Sequence, residues 1–188
     1  MKLDKLAKNI MDKQKKNIAL MGHMGSGKSV LGKLISKQLN FNHVDSDKLI
    51  EKKSNKTINE IFQTKGESYF RLIEENVILE TIYQKKLVLS LGGGSILSPK
   101  IRKALKGNFL TVFLDVDFAI LSKRLIKSKR RPLINDTNIE EKIKEFDVIR
   151  REFYLLADIT LKNHLTITDA FAEFRKKYIE FYEKYNSN

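Results

Sequence analysis

Short runs of apolar residues alternate along this chain with longer segments in which apolar residues recur every three or four positions. The apolar runs predict five strands, at residues 17–21, 41–44, 87–91, 109–114 and 158–161. The longer segments predict helices at residues 30–39, 49–53, 58–63, 67–84, 98–105, 118–126, 139–156 and 167–184. Because strands that alternate with helices need crossover connections, we expect an α/β fold of three layers, with a parallel sheet between two layers of helices.

The chain has the organisation of one domain. No internal repeat and no linker rich in proline, glycine or serine divides its 188 residues. No apolar run approaches the roughly 20 residues of a membrane helix, and the charged N-terminus lacks the apolar stretch of a secretory signal. The absence of cysteine fits a reducing compartment. We expect a cytoplasmic monomer without a membrane partner, in which residues 1–16 form a basic extension ahead of a domain at 17–188.

The chain is strongly basic, since 36 lysines and arginines against 23 acidic residues give a formal net charge of +13. Such an excess suggests a polyanionic partner. The lysines are scattered along the chain, however, and aromatic side chains that would stack on bases are not interleaved with them. We interpret the excess as charge on solvated surfaces and expect no nucleic acid partner. A nucleotide-dependent nucleic-acid-binding module is the alternative.

Residues 22–29 read G-H-M-G-S-G-K-S and match the phosphate-binding pattern G-x-x-x-x-G-K-[ST] in full. The motif lies between the first predicted strand and the helix after it, which is the context that the pattern requires. Its glycines allow successive backbone N–H groups to point at phosphate oxygens, and the helix adds its positive N-terminal end. We expect Lys28 to contact the β- and γ-phosphates of a nucleotide and Ser29 to ligate Mg²⁺.

Two carboxylates, Asp45 and Asp47, flank Ser46 just after the second strand. Residues two apart in an extended segment point to the same side, so both carboxylates are expected to face the phosphate-binding loop. One could then support Mg²⁺ through water while the other accepts a proton from an attacking hydroxyl. An Asx turn or a helix cap ahead of Lys48 explains the same residues without any chemistry.

Three glycines at residues 92–94 end the third strand. They permit very close approach of the backbone to a ligand, and a flexible turn is the alternative. No acidic residue ends this strand, where the usual metal-supporting carboxylate of a P-loop protein is expected. Ser90 is the nearest polar group, and we expect its hydroxyl to hold a Mg²⁺-bound water instead.

Arginines occur at three places where an anion could bind. Arg71 precedes Glu74 by three residues on a predicted helix, a spacing that gives either a surface ion pair or an arginine that its acidic neighbour aims at a carboxylate ligand. Arg150 has the same two interpretations. The basic run at residues 127–132 is either exposed charge or a lid that brings an arginine to the γ-phosphate.

Taken together and in order, these motifs resemble those of the shikimate kinase family. The resemblance extends from about residue 17 to the end of the chain and runs through G-H-M-G-S-G-K-S, D-S-D, G-E-S-Y-F-R-L-I-E-E, L-S-L-G-G-G and R-R-P-L-I. It implies a P-loop kinase fold like that of the nucleoside-monophosphate kinases, with a substrate-binding segment at about 46–75 and a lid at about 127–138. The implied reaction transfers the γ-phosphoryl group of ATP to the 3-hydroxyl of shikimate.

The resemblance also implies a role for each site residue. The implied ATP-binding residues are Gly22, Gly25, Ser26, Gly27, Lys28, Ser29, Val30, Arg124 and Arg131, of which Arg124 flanks adenine and Arg131 is the lid arginine. Mg²⁺ is implied at Ser29 and Asp45. The implied shikimate-binding residues are Asp47, Arg71, Gly93, Gly94 and Arg150, with both arginines on the carboxylate. Asp47 is the implied base, and Lys28 and Arg131 are the implied catalytic cations.

The chain departs from the family pattern in two places. The family usually reads R-x-P-x-Y where residues 150–154 read R-R-E-F-Y, so Arg150 and Arg151 both remain candidates for the substrate carboxylate, with the register of Tyr154 favouring Arg150. The adenine-side segment near His164 matches weakly, and His164 receives no role. A related small-molecule kinase with another acceptor, such as gluconate, would use the same loop and arginines.

Overall fold

The computed structural model describes residues 17–127, 138–162 and 166–186. The strands are β1 (Asn17–Met21), β2 (Asn42–Asp45), β3 (Leu87–Ser90), β4 (Phe109–Asp115) and β5 (Ile159–Lys162). The helices are α1 (Lys28–Leu39), α2 (Ser46–Ser54), α3 (Ile58–Thr81), α4 (Pro99–Asn108), α5 (Phe118–Lys127), α6 (Ile139–Tyr154) and α7 (Ile167–Asn186), with a 3₁₀ helix at Ser95–Leu97. The predicted extension at 1–16, the interior of the predicted lid, Arg131 and His164 lie outside the described residues.

The five strands form one parallel sheet in the order β2-β3-β1-β4-β5. Every residue of β1 and β3 is buried, as expected for central strands that helices cover on both faces. In the register of the sheet, Ser90 lies opposite both Leu20 of β1 and Asp45 of β2. The loops that follow these three strands therefore leave the sheet side by side, at its carboxyl edge.

Each face of the sheet carries its own hydrophobic cluster. Leu31 of α1 and Phe174 of α7 pack against one face, and Ile78 of α3 and Tyr154 of α6 pack against the other. Burying both faces in this way uses the apolar runs that predicted the strands and the apolar faces that predicted the helices. The predicted α/β fold of three layers, with a five-stranded parallel sheet, is confirmed.

A smaller cluster holds α2 against α3, with Ile50 and Phe70 at its centre. The sequence predicts two helices at 58–63 and 67–84, whereas the structure joins them as α3, with a kink at Gly66. Gly66 has φ 80° and ψ 174°, which are not helical angles. The kink gives the two parts of α3 different directions, and the second part carries Arg71 towards the sheet edge.

Among the described helices, none is both long enough and apolar enough to cross a membrane.

Candidate active site

The phosphate-binding loop connects β1 to α1, and Gly27 forms the N-cap of α1 with φ 100°. This left-handed conformation favours glycine, because a side chain at the same angles would be strained. No side chain caps the first turn of α1, and no acidic residue lies in that turn. The backbone N–H groups there are thus arranged to bind an anion with the positive end of the helix.

Lys28 folds back over the loop, where its Nζ donates to the carbonyl oxygens of Gly22 at 2.8 Å and His23 at 2.7 Å. A cavity of about 550 Å³ lies above the loop, a size suited to a small organic ligand. We call it the nucleotide cavity. The predicted ATP-binding residues that line it are Gly25, Ser26, Gly27, Lys28, Ser29, Val30 and Arg124. Arg124 also donates to the carbonyl of Gly25 at 3.2 Å.

The Ser29 hydroxyl donates to the carboxylate of Asp45, so the two predicted metal ligands are in contact. Asp45 is also the N-cap of α2, where its Oδ1 accepts from the N–H of Lys48 at 3.3 Å. The helix-cap interpretation is therefore right for Asp45, although its carboxylate reaches the nucleotide cavity as well. No group of three or more histidine, cysteine or acidic side chains that could hold a metal ion occurs among the described residues.

Asp47 lies in the first turn of α2, because the helix begins at Ser46. The prediction that Asp45 and Asp47 share one side of an extended segment is therefore wrong in its geometry. Both carboxylates nevertheless line the nucleotide cavity, Asp45 from the extended N-cap position and Asp47 from the first turn of α2.

Ser90 has partners within the protein. Its hydroxyl donates to the carbonyl of Lys28 at 3.1 Å and lies 3.0 Å from Nε2 of His43. The hydroxyl thus ties β3 to the first turn of α1. The structure does not support the prediction that Ser90 holds a Mg²⁺-bound water, because Ser90 is buried and is not among the residues that line the nucleotide cavity.

Arg71 is held between two carboxylates on its own helix. Its Nη1 donates to Glu74 at 2.6 Å, and its Nε and Nη2 donate to Glu67 at 3.2 and 3.0 Å. The side chain of Glu74 is only 2% exposed and also accepts from the hydroxyl of Ser95 at 2.6 Å. Burial raises the pKa of the Glu74 carboxyl, while the charge of Arg71 opposes this change. The ion pair with Glu74 therefore also orients the guanidinium of Arg71, so the two interpretations of this arginine describe the same arrangement.

Arg150 and Arg151 have different environments. Arg150 is 8% exposed, its Nε has no hydrogen-bond partner among the described residues, and its guanidinium lies 4.1 Å from the ring centre of Phe146. Burial lowers the pKa of this guanidinium. Arg151 instead pairs with Asp115 at 3.1 Å and Asp147 at 3.4 Å. A buried donor without a partner is costly, so the unpaired Nε makes Arg150, rather than Arg151, the candidate to bind an anionic ligand.

The three glycines form an ordered turn rather than a flexible one. The N–H of Gly92 donates to the hydroxyl of Ser46 at 2.8 Å, and the carbonyl of Gly93 accepts from the hydroxyl of Tyr154 at 2.5 Å. A Cβ atom at Gly94 would lie 2.5 Å from the guanidinium of Arg71. The lack of a side chain at this position therefore lets Arg71 reach the turn.

A second cavity, the acceptor cavity, lies beside the nucleotide cavity. All the predicted shikimate-binding residues line it, namely Asp47, Arg71, Gly93, Gly94 and Arg150. Met24, Asp47 and Gly93 line both cavities. Asp47 thus stands at the junction, where one carboxylate has access to a bound nucleotide and to a second ligand at the same time.

Other residues line the two cavities without belonging to any motif that the sequence analysis could identify. Ile167 and Ala170 of α7 line the nucleotide cavity, and Phe62 and Phe146 line the acceptor cavity. They occupy apolar positions of amphipathic helices, where the same residue types also form the core. Only the packing of distant helices distinguishes them from core residues.

A P-loop cavity that meets an arginine-lined acceptor cavity at a carboxylate defines a small-molecule kinase of the P-loop class. The family model for shikimate kinase matches residues 24–180. The chain belongs to the shikimate kinase family, whose members use ATP as co-substrate.

Individual relatives agree with this assignment. A shikimate kinase from Thermoanaerobacter pseudethanolicus is 36% identical over 165 residues, which cover 87% of this chain and 96% of that protein. One from Bartonella henselae is 40% identical over 147 residues, which cover 78% of this chain and 70% of that protein.

Solved structures show the same similarity. The shikimate kinase from Acinetobacter baumannii in complex with shikimate superposes with a TM-score of 0.82 at 32% identity, over 93% of this chain and 95% of that one. A gluconokinase from Sinorhizobium meliloti superposes with a TM-score of 0.66 at 17% identity, over 92% of this chain and 96% of that one. The gluconokinase shares the fold, and at this identity the likeness carries no further conclusion.

Proposed function

We propose that this chain transfers the γ-phosphoryl group of ATP to the 3-hydroxyl group of shikimate. The position of Asp47 in both cavities is the observation that carries the proposal. A carboxylate at that junction is within reach of an acceptor hydroxyl that faces the nucleotide. The membership of the chain in the shikimate kinase family supports shikimate as the acceptor.

The acceptor cavity has the chemistry that a small carboxylate requires. Arg71 and Arg150 both line it, and the buried Nε of Arg150 has no partner among the described residues. Hydrogen bonds between a guanidinium and a carboxylate are charge-assisted and directional. We assign the carboxylate of shikimate to this pair, and its ring to the turn formed by Gly93 and Gly94.

The positions of the described site residues support the following course for the reaction. The phosphates of ATP bind the loop N–H groups at the start of α1, where Lys28 exchanges its contacts with Gly22 and His23 for phosphate oxygens. The acceptor hydroxyl gives its proton to Asp47, and its oxygen forms a bond to the γ-phosphorus in line with the departing ADP oxygen. Arg124 is assigned to the adenine side. Arg131 is proposed as the lid cation that balances the transferred charge.

A Mg²⁺ ion fits the contact between Ser29 and Asp45. A hydroxyl and a carboxylate beside the phosphate-binding loop are the one or two protein groups that such an ion uses in kinases, with water and phosphates completing its shell. Bound there, Mg²⁺ would neutralise charge on the β- and γ-phosphates. Ser29 and Asp45 would hold it through the serine hydroxyl oxygen and a carboxylate oxygen.

The test is a coupled assay that measures ADP release with ATP and Mg²⁺, using shikimate, gluconate and a nucleoside monophosphate as acceptors. We expect turnover with shikimate at least 100-fold above the other acceptors, and a product phosphorylated at the 3-hydroxyl by phosphorus NMR. A folded Lys28→Met variant serves as the inactive control. Faster turnover with gluconate, or no turnover with shikimate, would reject the proposed acceptor.

Four predictions from the sequence remain predictions. They are the monomeric state, the cytoplasmic location, the role of residues 1–16 and the role of the lid. Light scattering on the purified chain measures the oligomeric state, and a dimer at micromolar concentration would contradict the predicted monomer.

Protease cutting at residues 127–138, with and without ATP and shikimate together, measures lid closure. We expect the ligands to slow cutting at these residues.

A further inference from the structure

A buried polar contact joins the phosphate-binding loop to α6. His23, the second residue of the loop, is 4% exposed, and its Nε2 lies 2.7 Å from Oδ1 of Asp147. Asp147 is 8% exposed. The two residues are 124 positions apart along the chain, and the phosphate-binding pattern does not require histidine at this position. The contact is therefore a feature of this chain beyond its motifs.

The same helix carries the groups that contact the acceptor cavity. Arg150 lies three residues after Asp147, and Tyr154 lies seven residues after it, so all three project from neighbouring turns of α6. The hydroxyl of Tyr154 donates to Gly93, and the ring of Tyr154 meets the ring of His23 edge-on at 5.2 Å. One face of α6 thus contacts the phosphate-binding loop and the acceptor turn.

His23 is also tied to the catalytic lysine. Its backbone carbonyl accepts from Nζ of Lys28 at 2.7 Å, while its ring contacts Asp147. When bound phosphates attract Lys28, its hydrogen bond to the His23 carbonyl changes, and the backbone that holds the histidine ring is affected as well. Burial lowers the pKa of His23, with Asp147 opposing and with Lys28 and Arg150 adding to the change. A neutral imidazole with its proton on Nε2 donates to the Asp147 carboxylate.

We infer that the contact between His23 and Asp147 positions α6 relative to the phosphate-binding loop, so that nucleotide and acceptor strengthen each other's binding. The inference rests on the proposed function, because it takes Arg150 as a ligand of the acceptor. A nucleotide that orders the loop also orders α6 through this contact. The acceptor then meets an Arg150 already in place and loses less conformational entropy on binding. His23 and Asp147 are positioning residues and touch neither substrate in this scheme.

A purely structural role for the contact makes a different prediction. In that case its loss lowers the free energy of unfolding but leaves the ratio of acceptor affinities with and without nucleotide unchanged. The contact of Thr111 with Asp158 provides a matched control. The hydroxyl and the N–H of Thr111 both donate to Oδ2 of Asp158 at 2.8 Å, and this pair lies outside both cavities.

The experiment is isothermal titration calorimetry with shikimate, in the absence and presence of saturating ADP and Mg²⁺. For the natural chain we expect ADP to tighten shikimate binding at least about fivefold, the lower end of typical coupling between sites. His23→Phe keeps a ring against Tyr154 but has no donor for Asp147, and its ratio should fall below about twofold. His23→Gln, which restores an N–H near the position of Nε2, and Thr111→Val should both keep the ratio of the natural chain.

Each result decides the inference. A ratio in His23→Phe equal to that of the natural chain overturns it, as does a ratio of one in the natural chain. Either result leaves the proposed function intact if shikimate still binds and is phosphorylated. If His23→Phe fails to fold, Asp147→Leu provides the same measurement with the acceptor for the His23 N–H removed, and a retained ratio there overturns the inference. Failure of shikimate to bind with or without ADP rejects the proposed function itself.

Discussion

At the scale of single residues, the proposed chemistry depends on one carboxylate at the junction of two cavities. Asp47 lines both of them from the first turn of α2. Asp45, two residues earlier, caps that helix and contacts Ser29. The two aspartates thus have different surroundings, which agrees with the separate roles that the sequence predicted for them.

Asp47→Asn is expected to lower kcat by about 100- to 10,000-fold, because an amide cannot accept the proton of the acceptor hydroxyl. The KM for ATP should change little, because the loop and Lys28 are untouched. Steady-state kinetics with each substrate varied in turn measures both constants. Glu80→Gln, which removes an exposed carboxylate paired with Lys53, is the control and should leave kcat unchanged. A parallel loss of ATP affinity in Asp47→Asn would indicate a metal or nucleotide ligand instead.

We expect substitutions of the two adjacent arginines to have different effects. Arg150→Gln should raise the KM for shikimate by about 10- to 100-fold, the effect of losing a hydrogen bond between charged groups. Arg151→Gln should change that KM less than about threefold but lower the melting temperature, because it breaks the ion pairs with Asp115 and Asp147. Kinetics and thermal melts on both variants test this assignment. The reverse pattern would make Arg151 the substrate ligand.

At the scale of elements, the direction of α3 decides where Arg71 points. The helix begins with a capping box in which Thr57 and Glu60 exchange hydrogen bonds, and it changes direction at Gly66. Its second part then packs against one face of the sheet, with Ile78 in the core. The kink therefore lets one helix pack against α2 through its first part and against the sheet through its second part.

Gly66→Ala is expected to lower the free energy of unfolding by about 1–3 kcal/mol, because its backbone angles lie in a region that is essentially restricted to glycine. A Cβ atom there would meet no other atom within 4 Å, so backbone strain alone causes the loss. The KM for shikimate should rise as Arg71 is displaced. Urea denaturation and acceptor kinetics measure the two effects.

Gly107 in α4 is the matched control for this substitution. It also has open space around its Cβ position, but its φ lies outside the left-handed region. Gly107→Ala should therefore raise the free energy of unfolding by about 0.5–1 kcal/mol, because alanine is the better helix former. Stabilisation by both substitutions would show that α3 is straight at Gly66.

At the scale of the whole molecule, stability is expected to depend on pH through two histidines, of which His23 is buried and His43 is half-buried. The pKa values of His23 and His43 both lie below their ordinary value of 6.5, chiefly because of burial. Around His43, Asp45 opposes this change, while Lys33 and Lys48 add to it. Below pH 6.5 the unfolded chain then binds more protons than the folded one, so the free energy of unfolding falls as the pH decreases.

Urea denaturation between pH 7.5 and pH 5.5 measures this dependence. In His43→Phe, the fall in unfolding free energy over this interval should be smaller than in the natural chain, since one of the titrating groups is gone. Thr111→Val, which removes a hydrogen bond but no titrating group, should keep the full dependence. An unchanged slope in His43→Phe would show that this histidine keeps its ordinary pKa in the folded state.

The sequence alone determined the fold class, the element boundaries to within a few residues and the phosphate-binding loop. These features depend on local spacing. Burial on both faces of a parallel sheet requires apolar runs and amphipathic helices, and residues 22–29 form the loop from consecutive positions. The resemblance to shikimate kinases likewise depended on short motifs in a fixed order, and the family assignment is confirmed.

The tertiary structure decided how distant residues meet. The register of Tyr154 favoured Arg150 as the substrate ligand, but the sequence could not show that Arg151 pairs with Asp115, because that contact depends on how α6 is rotated against the sheet. The contact of His23 with Asp147 depends on the packing of two segments that are far apart in the chain. Local patterns identify which side chains are available for chemistry, whereas the strand order and helix packing determine which of them share a cavity.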